Sequence, residues 1–414
     1  MKVHPTEAVM TVSPLSGTRS AIDTIESNDP EFREIVENPP RLKGKVLKYS
    51  LGRALREFTR DGCLDMAAGL TYRAVFAIFP GLLALVSLLG VIGQAETTTQ
   101  FMVDLINQMG SKEMAKTLEQ PIMQLASSSG AGLGLLIGVL GGIWTASNYV
   151  VAFSKSLNTI FEVDEGRPIW SLRAVTYTVT LVIVLLAVLA IALLILSGPV
   201  ATGLGAVIGL GPQALAVWNI AKWPLLVLIA IFMISTLYYW TPNARQSKYR
   251  ILSFGAFIAL LVIGLATLGF SVYLANFSNY NATYGSIGGV IVFLLWLWIM
   301  NAVLLFGAEV DAELERGRQL QSGIDAEDTL KLPVRGFKAT LKKEEKYIKD
   351  VQEAQDLRHE YNPEKHKDPE AESEKRMWTV LAGGLAVFLG VGLVRKIRGD
   401  GPLFDNVDGE DAKS

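Results

Sequence analysis

The chain of 414 residues has one cysteine, Cys63, and three histidines, His4, His359 and His366. A single cysteine excludes an intrachain disulfide framework, and nothing points to an oxidising compartment. The histidines stand in polar tail segments, and no Cys/His spacing suited to a metal occurs, so the sequence implies no metal and no catalytic acid–base set. A Gly-x-x-x-x-Gly-Lys phosphate loop and a dinucleotide fingerprint are both missing, so no cofactor is implied and ATP-driven work within this chain is not expected. No stretch joins a basic patch to exposed aromatics on a soluble fold, which argues against a nucleic-acid partner. The first forty residues are polar, hold Pro5, Pro14, Pro30, Pro39 and Pro40, and show no secretory signal. They lack the apolar content to fold alone and read as a disordered cytoplasmic tail over 1–40.

Charge is also scarce. Only 19% of residues are charged and the net charge is −2, against 50% hydrophobic residues and a mean hydropathy of +0.34. The charges crowd into 23–65 and 309–376 and nearly vanish between 174 and 308. What fills the gap is a series of apolar runs, at about 66–93, 131–153, 174–196, 217–240, 251–276 and 287–308. Each has about the twenty residues that a membrane helix needs. The expected fold is therefore all-α, a polytopic membrane bundle of six core transmembrane helices over 41–318. A seventh, shorter, glycine-rich run at 378–394 reads as a further C-terminal spanning helix within 377–396, followed by an acidic tail over 397–414.

Basic residues cluster before the first run (Arg53, Arg56, Arg60) and after the second (Lys155, Arg167, Arg173), the fourth (Arg245, Lys248, Arg250) and the sixth (Arg316, Arg318). If six runs span, all these clusters fall on one side, which places the N-terminus in the cytoplasm of a bacterial inner-membrane protein. The opposite loops are poor in base. The one at 94–130 has apolar residues at helical spacing and reads as two amphipathic outer helices; 201–216 suits a re-entrant or interfacial piece. Segment 319–376 alternates acids and bases and reads as a solvated helical spacer.

Some residues stand out. Arg73 lies in the first run, where an arginine at mid-membrane costs about 2.5–3.5 kcal/mol. It either snorkels to the headgroups or faces inward as an anion-binding group. Pro80 removes a backbone hydrogen bond and predicts a kink near Phe76. Gly134, Gly138 and Gly142 form small-residue steps on one helix face, a close-packing pattern that also permits a homo-oligomer. Asn148, Lys155 and Asn158 follow at the end of the second run, with Arg167 beyond; an inward Asn148 would bond a neighbouring helix. Tyr284 lies in the loop before the sixth run, beside Gly285, as part of an aromatic belt. Glu309, with Asp311 and Glu313, ends the sixth run, where negative charge opposes the helix dipole, so a base from another helix is expected to pair with it.

Several segments together resemble one family. AAGLTYRAVFAIFP, WTASNYVVAFSKSLNTIFEVDEGR, TPNAR, and YLANFSNYNATYGSIGG continuing to GAEVDAELER are similar, in order and spacing, to the YihY/BrkB family of bacterial inner-membrane proteins, once labelled ribonuclease BN. The likeness covers about 50–318. Two positions depart from it: Arg73 stands where the family tends to an aromatic, and Ala77 where it tends to a serine. The resemblance implies a six-helix envelope protein serving transport or envelope maintenance.

Three functions follow as expectations. The first is a transporter or export factor for an anionic or lipid-like solute in the lipid bilayer, with Arg73, Pro80, Asn148, Lys155, Asn158, Arg167, Tyr284 and Glu309 as its polar pocket or gate. The second is a scaffold that recruits partners through 319–376. The third, a ribonuclease, conflicts with the missing acid–base or metal set, so the chain is not expected to be an enzyme.

Overall fold

The computed structural model describes residues 41–91, 131–195, 212–246, 253–276, 281–361 and 377–381. Their regular structure is helical: α1 (Gly44–Arg60), α2 (Cys63–Val91), α3 (Ala131–Ile160), α4 (Ile169–Ile195), α5 (Pro212–Trp240), α6 (Phe254–Asn276), α7 (Asn281–Gln321) and α8 (Lys338–Tyr361). The protein is an all-α membrane bundle. Five helices are long and apolar enough to cross a bilayer, at Leu136–Ile160, Ile169–Leu194, Leu215–Trp240, Phe254–Leu274 and Gly288–Gln321. The first apolar run forms α2, which runs unbroken through Pro80. The N-terminal tail, the loop at 94–130, the piece at 201–211 and most of the run at 378–394 lie outside the described residues.

Contacts follow chain order. α2 packs on α3, α3 on α4, α4 on α5, α5 on α6, and α6 on α7, which closes back on α2 and also touches α3. α1 is different: its sequence is amphipathic, and it lies against α7 through Ala54, Val310 and Leu314 and also touches α2. Polar side chains join helices inside the bundle. Tyr149 on α3 donates to Asn301 Oδ1 on α7 at 2.7 Å, and Asn301 Nδ2 donates to Thr71 Oγ1 on α2 at 3.1 Å. Such bonds suit an apolar surround, where helices gain little from burying surface against each other.

The tightest crossing joins α6 to α7. A Cβ added at Gly255 would stand 2.0 Å from the Gly307 carbonyl oxygen, and one at Gly307 would meet the Tyr238 hydroxyl at 2.6 Å. Tyr238 in turn donates to the Leu304 carbonyl, which ties α5 into the same crossing. By contrast, Gly141 and Gly142 on α3 meet Pro80 and Gly81 of α2 at ordinary van der Waals distance. Gly138, one turn back, is buried, and Gly134 lies in the first turn of α3.

Burial is uneven along the bundle. The core runs from Cys63, Ala67 and Leu70 through Phe153, Leu157 and Phe161 to Leu237, Tyr238, Leu305 and Ala308, all near one end. Among the described side chains, the other halves of α2, α3, α5 and α6 bury only Gly138 and Lys222.

Past α7 the chain folds back onto the packed end. Leu330, Leu332 and Val334 are buried, and Ala244 pairs with Val334 as an isolated antiparallel bridge, with Arg245 N donating to Pro333 O and Arg335 N to Asn243 O, each at 2.7 Å. The sequence starts a solvated spacer at 319, but the first compact unit extends to Lys342, because alternate apolar residues of 330–334 cover the core. The second unit begins at Lys343 and carries most of α8, which is largely exposed and holds a Lys349–Glu345 pair one turn apart.

Gly255→Ala is expected to destabilise the protein by about 1–3 kcal/mol or more, whereas Gly264→Ala on the same helix, with nothing within 4 Å of its new methyl, should leave stability unchanged or slightly raised. Thermal unfolding in detergent distinguishes the two.

Candidate functional site

The packed end carries the molecule's polar chemistry because α7 does not stop where its apolar run stops. Its 41 residues give a rod about 60 Å long, and Glu309, Asp311 and Glu313 lie well inside it. The expected clash of these acids with the helix C-terminus therefore does not arise. Positions 309, 313 and 316 share one face, and 311, 315 and 318 share another.

The first face meets α1, α2 and the turn after α3. Arg316, 1% exposed, donates from Nε to Glu313 at 2.9 Å, from Nη1 to Ala326 O at 2.8 Å and from Nη2 to Glu162 at 2.7 Å. Arg53 of α1 approaches Glu313 at 3.2 Å and Glu57 at 3.4 Å. Glu162 has φ of 52°, the one positive φ of a non-glycine residue among those described. It ends α3 in the left-handed conformation that glycine usually takes. Its other carboxylate oxygen accepts from Leu330 N at 2.6 Å, so the returning segment and Arg316 together hold the strained turn. Beside this network Glu309, 1% exposed, has the Cys63 thiol at 3.9 Å as its hydrogen-bond partner and forms no salt bridge. Among the described residues no base pairs with it, and the charged groups that act on it are Asp61, Glu313, Glu57 and Glu162.

The second face meets α5 and α6. Asp311 Oδ1 accepts from Gly255 N at 2.7 Å and so caps the start of α6, where a helix N-terminus favours an acid. Glu315 pairs with Arg318 at 2.6 Å. A cavity of about 50 Å³ opens here, lined by Tyr238, Tyr239, Gln246, Asp311, Glu315 and Arg318 among others.

A third cluster forms where α3 ends. Arg167, buried, grips Glu165 through Nε at 2.8 Å and Nη2 at 2.7 Å, and Nη2 also reaches Ser154 Oγ and Thr241 O. Asn158 donates to Glu165 at 3.0 Å and accepts from Asn243 N at 2.7 Å. Asn243 completes the join with bonds to Asp164 and Gly336.

The structure brings together some of the sequence candidates and separates others. Asn158 and Arg167 share a cluster. Glu309 lies elsewhere at the same end. Asn148 accepts from Arg173 Nη1 of α4 at 2.9 Å, with the Arg173 guanidinium over the Trp144 ring. Lys155 is exposed. Arg73 is exposed and donates to Gly69 O of its own helix at 3.1 Å; two residues past buried Thr71, it points about 200° away from the inner face. It does not join Asn148 or Glu309. Pro80 lies against Gly141. Tyr284 stands in the first turn of α7 rather than in a loop, because the helix starts at Asn281, six residues before the apolar run.

Glu162 and Glu165, partners in these clusters, and Asn301 of the Tyr149–Thr71 link were not singled out in the sequence; Asn243 reads there only as a helix cap. Lys222 was also missed, although it is the sole charged residue between Arg173 and Arg245. It is buried in α5, bonded to Asn219 at 3.2 Å and set against the Trp223 ring. Among the described residues, no group of three or more His, Cys, Asp or Glu side chains is placed to hold a metal ion.

The family model described as virulence factor BrkB matches residues 54–330, from α1 to the returning segment. The chain belongs to that family. Its relatives include a ribonuclease-like protein, YfkH, of Bacillus subtilis, 28% identical over 61% of this chain and 90% of the relative. They also include UPF0761 membrane proteins of Rhodospirillum centenum, 26% identical over 64% of this chain and 57% of the relative, and of Ralstonia nicotianae, 26% identical over 68% and 61%. The chain thus spans about six-tenths of each UPF0761 relative. No solved structure matches it. The BrkB match ends at 330 and so takes in Arg316, Glu162 and the Leu330 amide that Glu162 holds, the network that closes the packed end.

Two predictions follow from the charges at this end. Arg316→Ala is expected to cost about 3–5 kcal/mol, since it breaks a buried network and removes the cation that joins Glu313 to Glu162, while Arg318→Ala, at a single and more exposed pair, should cost about 1 kcal/mol or less; unfolding midpoints report both. Burial, with Glu57 and Glu162 nearby, pushes Asp61 in the α1–α2 turn up to about 6. A raised carboxyl pKa opposes folding once pH passes the unfolded value and does so fully above the folded one. Asp61→Asn should therefore stabilise the protein at neutral pH by about 1 kcal/mol after solvent screening, a gain that shrinks as pH falls through about 6 and is lost by about pH 4.

Proposed function

We propose that this BrkB protein moves anionic, lipid-like solutes across the bacterial inner membrane, with its N-terminus and the Arg316 end of the bundle in the cytoplasm, as part of envelope maintenance. The observation that carries the reading is the contrast between the two halves of one bundle. One end is sealed by buried ion pairs and a returning segment, while the other halves of α2, α3, α5 and α6 leave their described side chains unburied except Gly138 and Lys222. A bundle closed at one end and, among its described side chains, less closely packed at the other resembles one state of an alternating-access cycle. Lys222 supports an anionic solute, because a cation inside a spanning helix is expensive and tends to mark a ligand path. The positive clusters on one side support the orientation.

The scaffold reading keeps a smaller segment. Residues 319–342 belong to the bundle's own unit, so partner recruitment falls to 343–376, where α8 leaves Leu357 and Tyr361 exposed. The ribonuclease-like name belongs to the Bacillus relative, and no arrangement of side chains described above favours RNA cleavage.

Purified protein in liposomes containing fluorescent phosphatidylglycerol tests the proposal. Transbilayer movement of the label is expected to exceed that of protein-free liposomes, to fall at least tenfold in Lys222→Gln, and to survive removal of 343–414. No movement above the protein-free rate rejects transport of this lipid class, and loss of cellular function on removal of 343–414 with movement intact favours the scaffold.

A further inference from the structure

Three acids of α7 are buried by area: Glu309, Glu313 and Glu315. Glu313 lies between Arg316 and Arg53, and Glu315 binds Arg318. Glu309 has no cation. Its surroundings are Cys63 from α2, Asp61 from the α1–α2 turn, Glu57 from α1, Glu162 from the turn after α3, and Glu313 one turn further along α7. The cations of the cluster, Arg53, Arg60 and Arg316, are already held by Glu57, Glu313 and Glu162. An ionised carboxylate sealed from water, with no positive partner and four acids around it, is a high-energy arrangement. A thiol is too weak a hydrogen-bond donor to offset it. The position is also a seam: α2 and α7 meet there, and Trp298 of α7 donates to Leu64 O of α2 at 3.1 Å.

We propose that Glu309 is a proton-binding site coupled to opening of the α2–α7 seam, protonated while sealed against Cys63 and ionised when the seam admits water. Resting on the transport reading, this makes the proton the coupling ion of the cycle. The balance is simple: the carboxyl O–H breaks, the proton passes to water on the side to which the seam opens, and no electrons move.

Cys63 is the sole cysteine of the chain and is fully buried beside Glu309, so its alkylation reports the seam directly. Full-length protein in liposomes is treated with N-ethylmaleimide from mildly acidic to mildly alkaline pH, alongside Glu309→Gln, which keeps the shape and cannot release a proton. The ratio of the wild-type labelling rate to that of Glu309→Gln should rise with pH, by up to about tenfold per pH unit, the limit for one linked proton. Equal pH profiles in the two proteins overturn the proposal. Should Glu309→Gln fail to fold, infrared spectra of the wild type decide: a carboxylic-acid carbonyl stretch persisting at neutral pH and fading as Cys63 becomes reactive supports the site, and its absence rejects it. A proton-linked seam in protein that moves no phosphatidylglycerol would leave Glu309 as a proton site and reject the transport reading alone. Lipid movement with equal labelling profiles would reject the proton site alone.

Discussion

The packed end of this protein depends on keeping a buried guanidinium satisfied. Arg316 is almost wholly out of water, and a charge so placed is tolerated only if its donors are engaged. Its three bonds reach Glu313 on its own helix, Glu162 at the end of α3 and the backbone at Ala326. Each bond holds a different part of the chain. Glu162 can sit in a left-handed conformation because Arg316 and the Leu330 amide hold its carboxylate from two sides. The segment after α7 returns to the bundle because Ala326 and Leu330 are anchored at the same place, and Leu332 and Val334 then fill the core. α1 lies alongside because Arg53 bridges Glu313 and Glu57.

This arrangement explains why the most polar stretch of α7 is so well buried. Away from the packed end, the helices have little reason to pack beyond van der Waals contact, and the hydrogen bonds of Tyr149, Asn301 and Thr71 stand where the core begins. Where the charges begin, water is available to unpaired groups, and the hydrophobic effect can act between helices again. Core residues therefore gather at the charged end, with α6 and α7 locked by the Gly255–Gly307 contact. An Asp311 cap on α6 adds an electrostatic link at the same crossing.

Much of the fold was legible in the sequence because length and the absence of charge are strong signals. Five of the six expected runs emerge as helices fit to cross a bilayer, and the sixth lies in α2. Less was legible at the site. Apolar content alone marked the ends of runs, so α7 was read as stopping near Ala308 and beginning at Ile287, when its helix runs from Asn281 to Gln321. The i, i+4, i+7 spacing of Glu309, Glu313 and Arg316 was available as a sign of continued helix. The face on which Arg73 lies could have been inferred from its two-residue offset from Thr71, but only once Thr71 was known to be buried. Glu162 gave no sign at all: a left-handed residue is usually announced by glycine or asparagine, and here long-range bonds do that work. The return of 322–337 was hidden because its apolar residues alternate over too short a stretch to stand out from a charged neighbourhood.

The length of α7 has a mechanical consequence. An α-helix resists bending, and this one carries both the membrane-embedded Asn301 node and the Arg316 network on a single rod without an internal proline. From Asn301 to Gln321 is about 30 Å of helix. A tilt of about 5° about the Asn301 node would carry Arg316, about 22 Å along the helix, sideways by about 2 Å, enough to part its 2.7 Å pair with Glu162. The length of the rod would thus turn a small tilt at the Asn301 node into the making or breaking of the Arg316–Glu162 contact.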